Sequence, residues 1–376
     1  MAGAFDRVSA QRLTEKLTAL GVPPDWVRLF SSWLRSREAL VVVGGAYSKV
    51  MSLVDMVFQG TVWGPPLWNA FYKDARRAVR DAGFEEEVYA DDLNAYKAFP
   101  TAVKNEELFE EGRRCQEKLH KWGRANQVCF DPTKESFHVF ARIGGQGGNT
   151  ELLGVNFDTG LAMDDAVRGL VQEVAWKLRV LQRSARFHTG RELVNLYKSR
   201  VLGYVEYRTP ALYHAICTTL QQLNKVQDRL LRLAGVADLE ALMHFNLAPL
   251  AIRRDAAMLE LIHRTVLGNG PEYFQMFFVK APQRGAYQTR LQERQQRHGR
   301  QLVDPRGRTH LNCVRRSALG LVAVYNLLPA HVVRAETVKE FQTQLQELLK
   351  ARARKGKATK TGQKLSVLEY HFTDTL

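Results

Sequence analysis

Four cysteines in 376 residues are too few for a disulfide framework, and Cys115, Cys129, Cys217 and Cys313 lie too far apart for a C-x-x-C metal pair. Their scarcity points to a reducing compartment and to structural thiols. No apolar run approaches the ~20 residues that a membrane-spanning helix needs. The segment Met1-Ala2-Gly3-Ala4-Phe5-Asp6-Arg7 has neither the basic nor the apolar region of a signal peptide. A soluble, non-secreted protein of the nucleus or cytoplasm is expected, with no membrane partner. No internal repeat is visible. Acidic side chains are also in short supply: 39 Asp and Glu stand against 54 Lys and Arg, leaving a net charge of +15. That balance favours polyanionic partners, because each cation that meets a phosphate releases counterions, although a merely soluble basic protein has the same composition. Apolar side chains are not lacking. A hydrophobic fraction of 45% with 10% aromatics excludes wholesale disorder, and the length allows two or three packed units.

Residues 8–20 place Ala10, Leu13, Leu17 and Leu20 at helical spacing, and Gly21-Val22-Pro23-Pro24 ends that helix. Asp25 reads as the cap of a second helix with Trp26, Leu29, Phe30 and Trp33 on its apolar face. Ala39–Val43, Gly44-Gly45 and Tyr47–Met51 read as a hairpin. A helix is expected at 66–82, then strand, tight turn and strand over Val88–Tyr96. A helix at 104–122 ends at Trp122-Gly123. Short strands follow at Ser136–Phe140 and Leu152–Phe157, around a loop tip at Gly144–Gly148. Beyond about residue 165 amphipathic helices dominate, at 165–186, 190–206, 209–234, 238–268 and 316–328. Residues 282–310, rich in Arg and Gln, read as a solvated helix or linker. A last helix at 335–351 runs into a basic stretch in which 350–364 carries seven Lys or Arg. This tail is expected to be disordered, as a nuclear import signal, a nucleic-acid tether or a plain solubilising tail.

Asp91 and Asp92 sit together at the expected tight turn. Two carboxylates that close repel, and a divalent cation relieves the repulsion. Oxygen-only ligands favour Mg²⁺ or Mn²⁺. Two such ions about 4 Å apart can activate a primer 3′-hydroxyl and stabilise a pyrophosphate leaving group. An Asp-Asp pair alone is more often a solvated turn.

The neighbouring segments narrow this. Phe58-Gln59-Gly60-Thr61-Val62-Trp63-Gly64-Pro65-Pro66 resembles the Q-G-x-x-x-G-P motif of non-LTR retrotransposon (jockey-like mobile element) reverse transcriptases, and Tyr89-Ala90-Asp91-Asp92 matches their Y-A-D-D motif. Trp122–Asn126, followed by Lys134, resembles their W-x-x-x-N-x-x-K segment. Leu152-Leu153-Gly154-Val155 is similar to their primer-gripping hairpin, and Ala4-Phe5-Asp6 to the end of D-x-x-x-A-F-D. Five motifs in order over residues 4–157 carry the resemblance.

The resemblance implies an α+β fold: a reverse-transcriptase palm with an antiparallel sheet at 1–160, a helical thumb at 165–235, a helical C-terminal region at 236–349 and the basic tail at 350–376. It implies RNA-directed DNA polymerisation, with an RNA template, a DNA primer, dNTPs and Mg²⁺ or Mn²⁺. Asp91 and Asp92 would bind the metals, and Phe5 would exclude a 2′-hydroxyl. Gln59, Gly60 and Tyr89 would lie against the substrate. Lys134 would stabilise charge or act as an acid near the triphosphate, unless it is an ordinary surface lysine. Leu153 and Gly154 would grip the primer. Further on, Leu193–Ser199, Tyr204–Tyr207 and Leu223–Leu233 resemble the run that follows the palm in these elements. Lys177, Arg179, Arg183, Arg186, Lys198 and Arg200 would face the duplex backbone there. Arg315-Arg316-Ser317 and Tyr325–Pro329 resemble a signature near the end of such reading frames.

One departure matters. The family's first catalytic aspartate sits four residues before the Ala of A-F-D, which counts to one position before Met1. The chain, lacking that carboxylate and the fingers region, is expected to be inactive alone. Its rival description is a non-catalytic RNA- or DNA-binding remnant, and oligomeric state stays open.

Overall fold

The computed structural model describes residues 5–35, 37–53, 55–282, 298–305 and 312–359. Ala4 and the stretch from 360 onwards, which carry parts of the A-F-D match and of the basic tail, lie outside the described residues. The chain divides into two compact units, Met1–Phe137 and His138–Leu376. Among the described residues helices predominate and the strands form four separate two-stranded antiparallel pairs, an α+β fold.

The first unit begins with helices α1 (Ala10–Ala19) and α2 (Pro24–Arg35). Ser9 caps α1 by accepting from the Arg12 amide. The expected hairpin forms as two short ladders, β1 (Glu38–Ala39) with β4 (Met51–Ser52) and β2 (Val42–Val43) with β3 (Ala46–Tyr47). Helix α3 (Gly64–Arg80) opens with Pro65 and Pro66, which need no donated hydrogen bond in the first turn. Its Leu67, Trp68, Phe71, Tyr72, Ala75 and Val79 recur on one face and are buried. All of these but Val79 pack with Val8, Leu13, Leu17, Phe30, Leu34, Val57 and Trp122 into the unit's core. Strands β5 (Glu85–Tyr89) and β6 (Asp92–Tyr96) lay Val88 and Leu93 against that core, and α4 (Asn105–Asn126) closes it with Trp122.

The second unit carries a tight hairpin, β7 (Thr150–Leu152) and β8 (Val155–Phe157), followed by helices α5 (Asp164–Ser184), α6 (Gly190–Tyr197), α7 (Gly203–Leu212), α8 (Cys217–Ala234), α9 (Asp238–Phe245) and α10 (Leu250–Val266). A π-helical turn at Lys198–Leu202 joins α6 to α7 without a break. Val167, Leu170, Val174, Leu178 and Leu181 of α5 meet Val194, Tyr197, Leu223 and Leu230 in one core. A second core gathers Ile262, Val322, Tyr325, Val332, Phe341 and Leu345.

Several expectations need correction. Helix α2 starts at Pro24, with Asp25 already in its first turn, and Trp26 and Leu29 are exposed while Phe30 and Leu34 are buried. Helix α4 runs past Trp122-Gly123 to Asn126 and closes on Gln127 in the left-handed region, φ +61°. Gly123 is there for close packing: a Cβ would come within 2.7 Å of the Phe130 ring and the Val128 carbonyl. Ser136–Phe140 is not a strand. Only Val139 bridges, to Gln146, and Phe137 is taken up in packing on Phe109 and Gly112. Residues 152–157 are two strands around a turn, not one. The break expected near 207–208 falls instead after Leu212, because Val205, Thr209 and Leu212 continue one buried face through Pro210. The expected 238–268 helix is split at Asn246, φ +53°, ahead of Pro249. Of 316–328, Ala318–Leu321 is 3₁₀ and Val322–Leu327 is α-helical. The last helix, Val338–Thr359, continues into the basic stretch. In the expected linker, the described part is not solvated: Leu302 is buried, and Arg300 donates to the carbonyls of Val333 and Ala335. Among the described residues no helix is long and apolar enough to cross a membrane.

Candidate active site

Residues Tyr89 and Asp92 are paired in register, so Ala90 and Asp91 form a two-residue turn. Ala90 has φ +54°, a region where the first position of a hairpin turn ordinarily carries glycine. A side chain held there costs on the order of 1–3 kcal/mol unless its surroundings fix it. The fixing group is Trp68. Its indole N–H, on an almost fully buried side chain, donates to the Ala90 carbonyl at 2.7 Å.

Three segments meet beside this turn. The Phe5 carbonyl accepts from the Val57 amide at 2.8 Å, tying the short 3₁₀ turn Phe5–Arg7 to the loop that leads into α3. That loop is folded on itself: Thr61 Oγ1 donates to the Phe58 carbonyl at 2.8 Å and accepts from the Gly64 amide at 3.1 Å. Gly64 has to be glycine, since a Cβ would stand 2.9 Å from the Phe58 carbonyl oxygen. Gly60 has φ +80°. Between them lies an open cleft of about 630 Å³, lined by Phe5, by the loop from Phe58 to Val62, by Gly64 and Pro65, and by Asp91. That volume is in the range of sites that hold a small molecule.

The cleft therefore gathers Phe5, Gln59, Gly60 and Asp91 from three separated stretches of sequence. Asp91 is half-buried, and Asp92 is the exposed first residue of β6. Tyr89 belongs to the same hairpin, but its side chain is exposed and does not line the cleft. Lys134 ends the 3₁₀ turn Pro132–Lys134 as an exposed side chain and does not line the cleft either. Leu153 and Gly154 belong to the second unit. There they form the two-residue turn between β7 and β8, both with positive φ, +48° and +74°. Helix α7 holds both carbonyls: Tyr207 Oη donates to Leu153 O at 2.9 Å and Arg208 Nε to Gly154 O at 3.0 Å. Glu173 braces Arg208 at 3.0 Å.

The carboxylates of Asp91 and Asp92 act on one buried group. Tyr72 sits beneath the turn, stacked on Trp68 with ring centroids 5.0 Å apart, and its hydroxyl has no hydrogen-bond partner. Burial above all, and then the charges of Asp91 and Asp92, push its ionisation well above the ordinary tyrosine range. The donors at the turn are all oxygens, as a hard divalent cation takes them. Among the described residues, however, no group of three or more His, Cys, Asp or Glu could hold a metal ion. The pair fits such an ion in kind and falls short in number.

The cations expected at the duplex backbone are divided. Arg179, Arg183 and Arg186 are exposed along α5 and its 3₁₀ extension, near exposed Trp176 and Phe187. Lys177 lies 3.6 Å over the Tyr204 ring, and Lys198 donates to the Phe245 carbonyl.

Sequence reasoning missed Trp68, which reads simply as one more apolar residue of α3. It also passed over Phe58, Thr61 and Pro65 as cleft residues, although the Q-G-x-x-x-G-P match encloses them.

Residues 1–157 match the family model of the reverse transcriptase (RNA-dependent DNA polymerase). Residues 158–376 lie outside that match. No curated protein matches the chain.

Proposed function

We propose that the cleft beside Ala90-Asp91-Asp92 is the nucleotide site of an RNA-directed DNA polymerase of the non-LTR retrotransposon kind. What carries this reading is the cleft itself, which brings Phe5, Gln59, Gly60 and Asp91 onto one wall-lined space from three motifs. The family match over residues 1–157 supports it. Asp91 and Asp92 would hold Mg²⁺ or Mn²⁺, which supplies charge neutralisation for phosphoryl transfer when bound. Phe5 presents an apolar ring where the sugar of a dNTP would lie, so that a 2′-hydroxyl is excluded by contact and left without a partner. Gln59 and the backbone of Gly60 stand where the nascent base pair would rest. Tyr89 and Lys134 would contribute outside the cleft wall, Lys134 as a charge stabiliser or acid. Leu153-Gly154, held by Tyr207 and Arg208, would meet the primer end. The helical unit would act as the thumb along an RNA–DNA duplex, in nucleus or cytoplasm.

The same reading includes low activity of this polypeptide by itself, because two carboxylates are fewer than a two-metal centre uses. Two measurements test it. A photoreactive dNTP should crosslink within Phe58–Pro65 in the presence of Mn²⁺, be displaced by dNTP better than by rNTP, and lose that preference in Phe5→Ala. Extension of a DNA primer on an RNA template by the purified chain should be near background with Mg²⁺. Crosslinking confined to the second unit, with nucleic-acid binding indifferent to Asp91→Ala and to Mg²⁺, would replace this reading with that of a non-catalytic binding remnant.

A further inference from the structure

We infer that Trp68 is a positioning residue that locks the carboxylate turn and the sugar-facing ring to one another. This inference rests on the nucleotide-site reading above and deepens it. The observations are three contacts of one side chain. The indole N–H donates to the Ala90 carbonyl at 2.7 Å. One side of the indole faces the Phe5 ring, with centroids 5.0 Å apart and planes tilted by 32°. Tyr72 stacks on the same indole at 5.0 Å and 20°.

Each contact has a consequence. Ala90 precedes Asp91 directly, and its positive φ is a conformation that alanine does not hold by preference. A hydrogen bond from a rigid, buried donor fixes the orientation of that peptide, and with it the direction in which Asp91 leaves the turn. An aromatic side chain has two rotatable torsions, and Trp68 is 1% exposed, so the donor has almost no freedom to follow a moving turn. The turn must instead conform to the indole. Phe5 is less constrained. Its backbone is tied at Val57, while its ring lies half-buried in the cleft wall with Trp68 as its neighbour on the core side. A displacement of the indole therefore moves the ring and the carboxylates together. The side chain that would choose the sugar and the carboxylates that would hold the metal share one mechanical support. Trp68 itself does not line the cleft, so it touches neither nucleotide nor metal.

The test uses the full chain and Mn²⁺ as the probe. Trp68→Phe keeps an aromatic ring in the core while removing the N–H donor together with part of the indole's buried volume. In Mn²⁺ titrations followed by electron paramagnetic resonance with dNTP present, Trp68→Phe should weaken Mn²⁺ binding about tenfold, while Asp91→Asn abolishes it. Discrimination between dNTP and rNTP in competition should shrink in Trp68→Phe although Phe5 is intact. Because any core variant could perturb folding, the wild-type chain supplies a second readout. Among its six indole N–H signals, the one absent from Trp68→Phe should be shielded from solvent exchange and should shift when Mg²⁺ and dNTP are added. If Asp91→Asn abolishes Mn²⁺ binding while Trp68→Phe binds normally and the indole signal does not respond, the inference is overturned and the nucleotide-site reading stands. If Asp91→Asn binds Mn²⁺ like the wild type, the reading itself fails and the inference with it.

Discussion

At the scale of single residues, the cleft depends on positions where one atom more does not fit. Gly64→Ala places a Cβ 2.9 Å from the Phe58 carbonyl, and neither backbone segment can yield without opening the Thr61 turn. Overpacking of this kind costs about 1–3 kcal/mol, so Gly64→Ala should unfold at lower denaturant concentration and lose nucleotide crosslinking together. Buried charge gives a second residue-scale expectation. Burial raises the pKa of the Glu86 carboxyl, but hydrogen bonds and charge from Arg80 and Arg76 outweigh it and hold the group below its ordinary value of 4.5. A carboxyl with a lowered folded-state pKa stabilises the fold above its unfolded value and loses that contribution as pH falls through the folded one. The first unit should therefore weaken below about pH 4.5, and Glu86→Gln should be less stable at neutral pH with a flatter acid dependence. A variant whose stability falls with acid as steeply as the wild type would refute the role of this group. In the second unit, His263 is fully buried between Tyr325 and the Ala335 carbonyl, and burial lowers its pKa to about 4. Its unfolded value is 6.5, so the unfolded chain binds the proton first and stability falls as pH drops from 6.5 towards 4. Urea unfolding of the second unit's core should show this loss, and His263→Gln should reduce it, leaving the part due to His298, whose pKa burial also lowers.

Among the elements, the hairpin β7–β8 shows how a turn is made dependable. Positive φ at both Leu153 and Gly154 matches the twist of a two-residue hairpin, yet leucine resists that conformation. Tyr207 and Arg208 compensate by donating hydrogen bonds that fix the two carbonyls. Arg208→Met with Tyr207→Phe should raise amide hydrogen exchange in Leu152–Val155 by about tenfold or more, the loss of two hydrogen bonds of ~1 kcal/mol each. Unchanged exchange would show that the strand ladder alone holds the turn. Elements are also where the sequence proved most and least legible. The 3.6-residue pattern of α1 and α3 was readable because each helix buries one regular face, and the strand–turn–strand at Tyr89–Asp92 because its pairing is local in sequence. Helix ends were less so. Gly123 reads as a stop, but its missing side chain serves Phe130 within the last turn of α4; a break is expected near 207–208, but buried neighbours carry α7 past it to Leu212. Phe137 and Phe140 have strand character, and tertiary packing claimed Phe137 instead. Of the site, the cleft-lining Phe5, Gln59, Gly60 and Asp91 were legible because they sit in motifs. Trp68 was not, since its hydrogen bond to Ala90 joins residues 22 positions apart and no local pattern encodes it.

For the whole molecule, the excess of 54 basic over 39 acidic residues should appear as salt-dependent binding to nucleic acid. If about five phosphates are neutralised, affinity for an RNA–DNA duplex should fall by two to three orders of magnitude between roughly 50 and 200 mM salt. Substituting Arg179, Arg183 and Arg186 by Ala should flatten that slope without changing stability, since all three are exposed. The most direct test of the proposed nucleotide site is the turn itself. The measurement is Mn²⁺ binding by electron paramagnetic resonance, with and without dNTP, for the wild type and for Asp91→Asn with Asp92→Asn. The account predicts Mn²⁺ binding that dNTP strengthens in the wild type, and its loss by tenfold or more in the double variant at unchanged folding. Equal Mn²⁺ and dNTP binding in both proteins would contradict it.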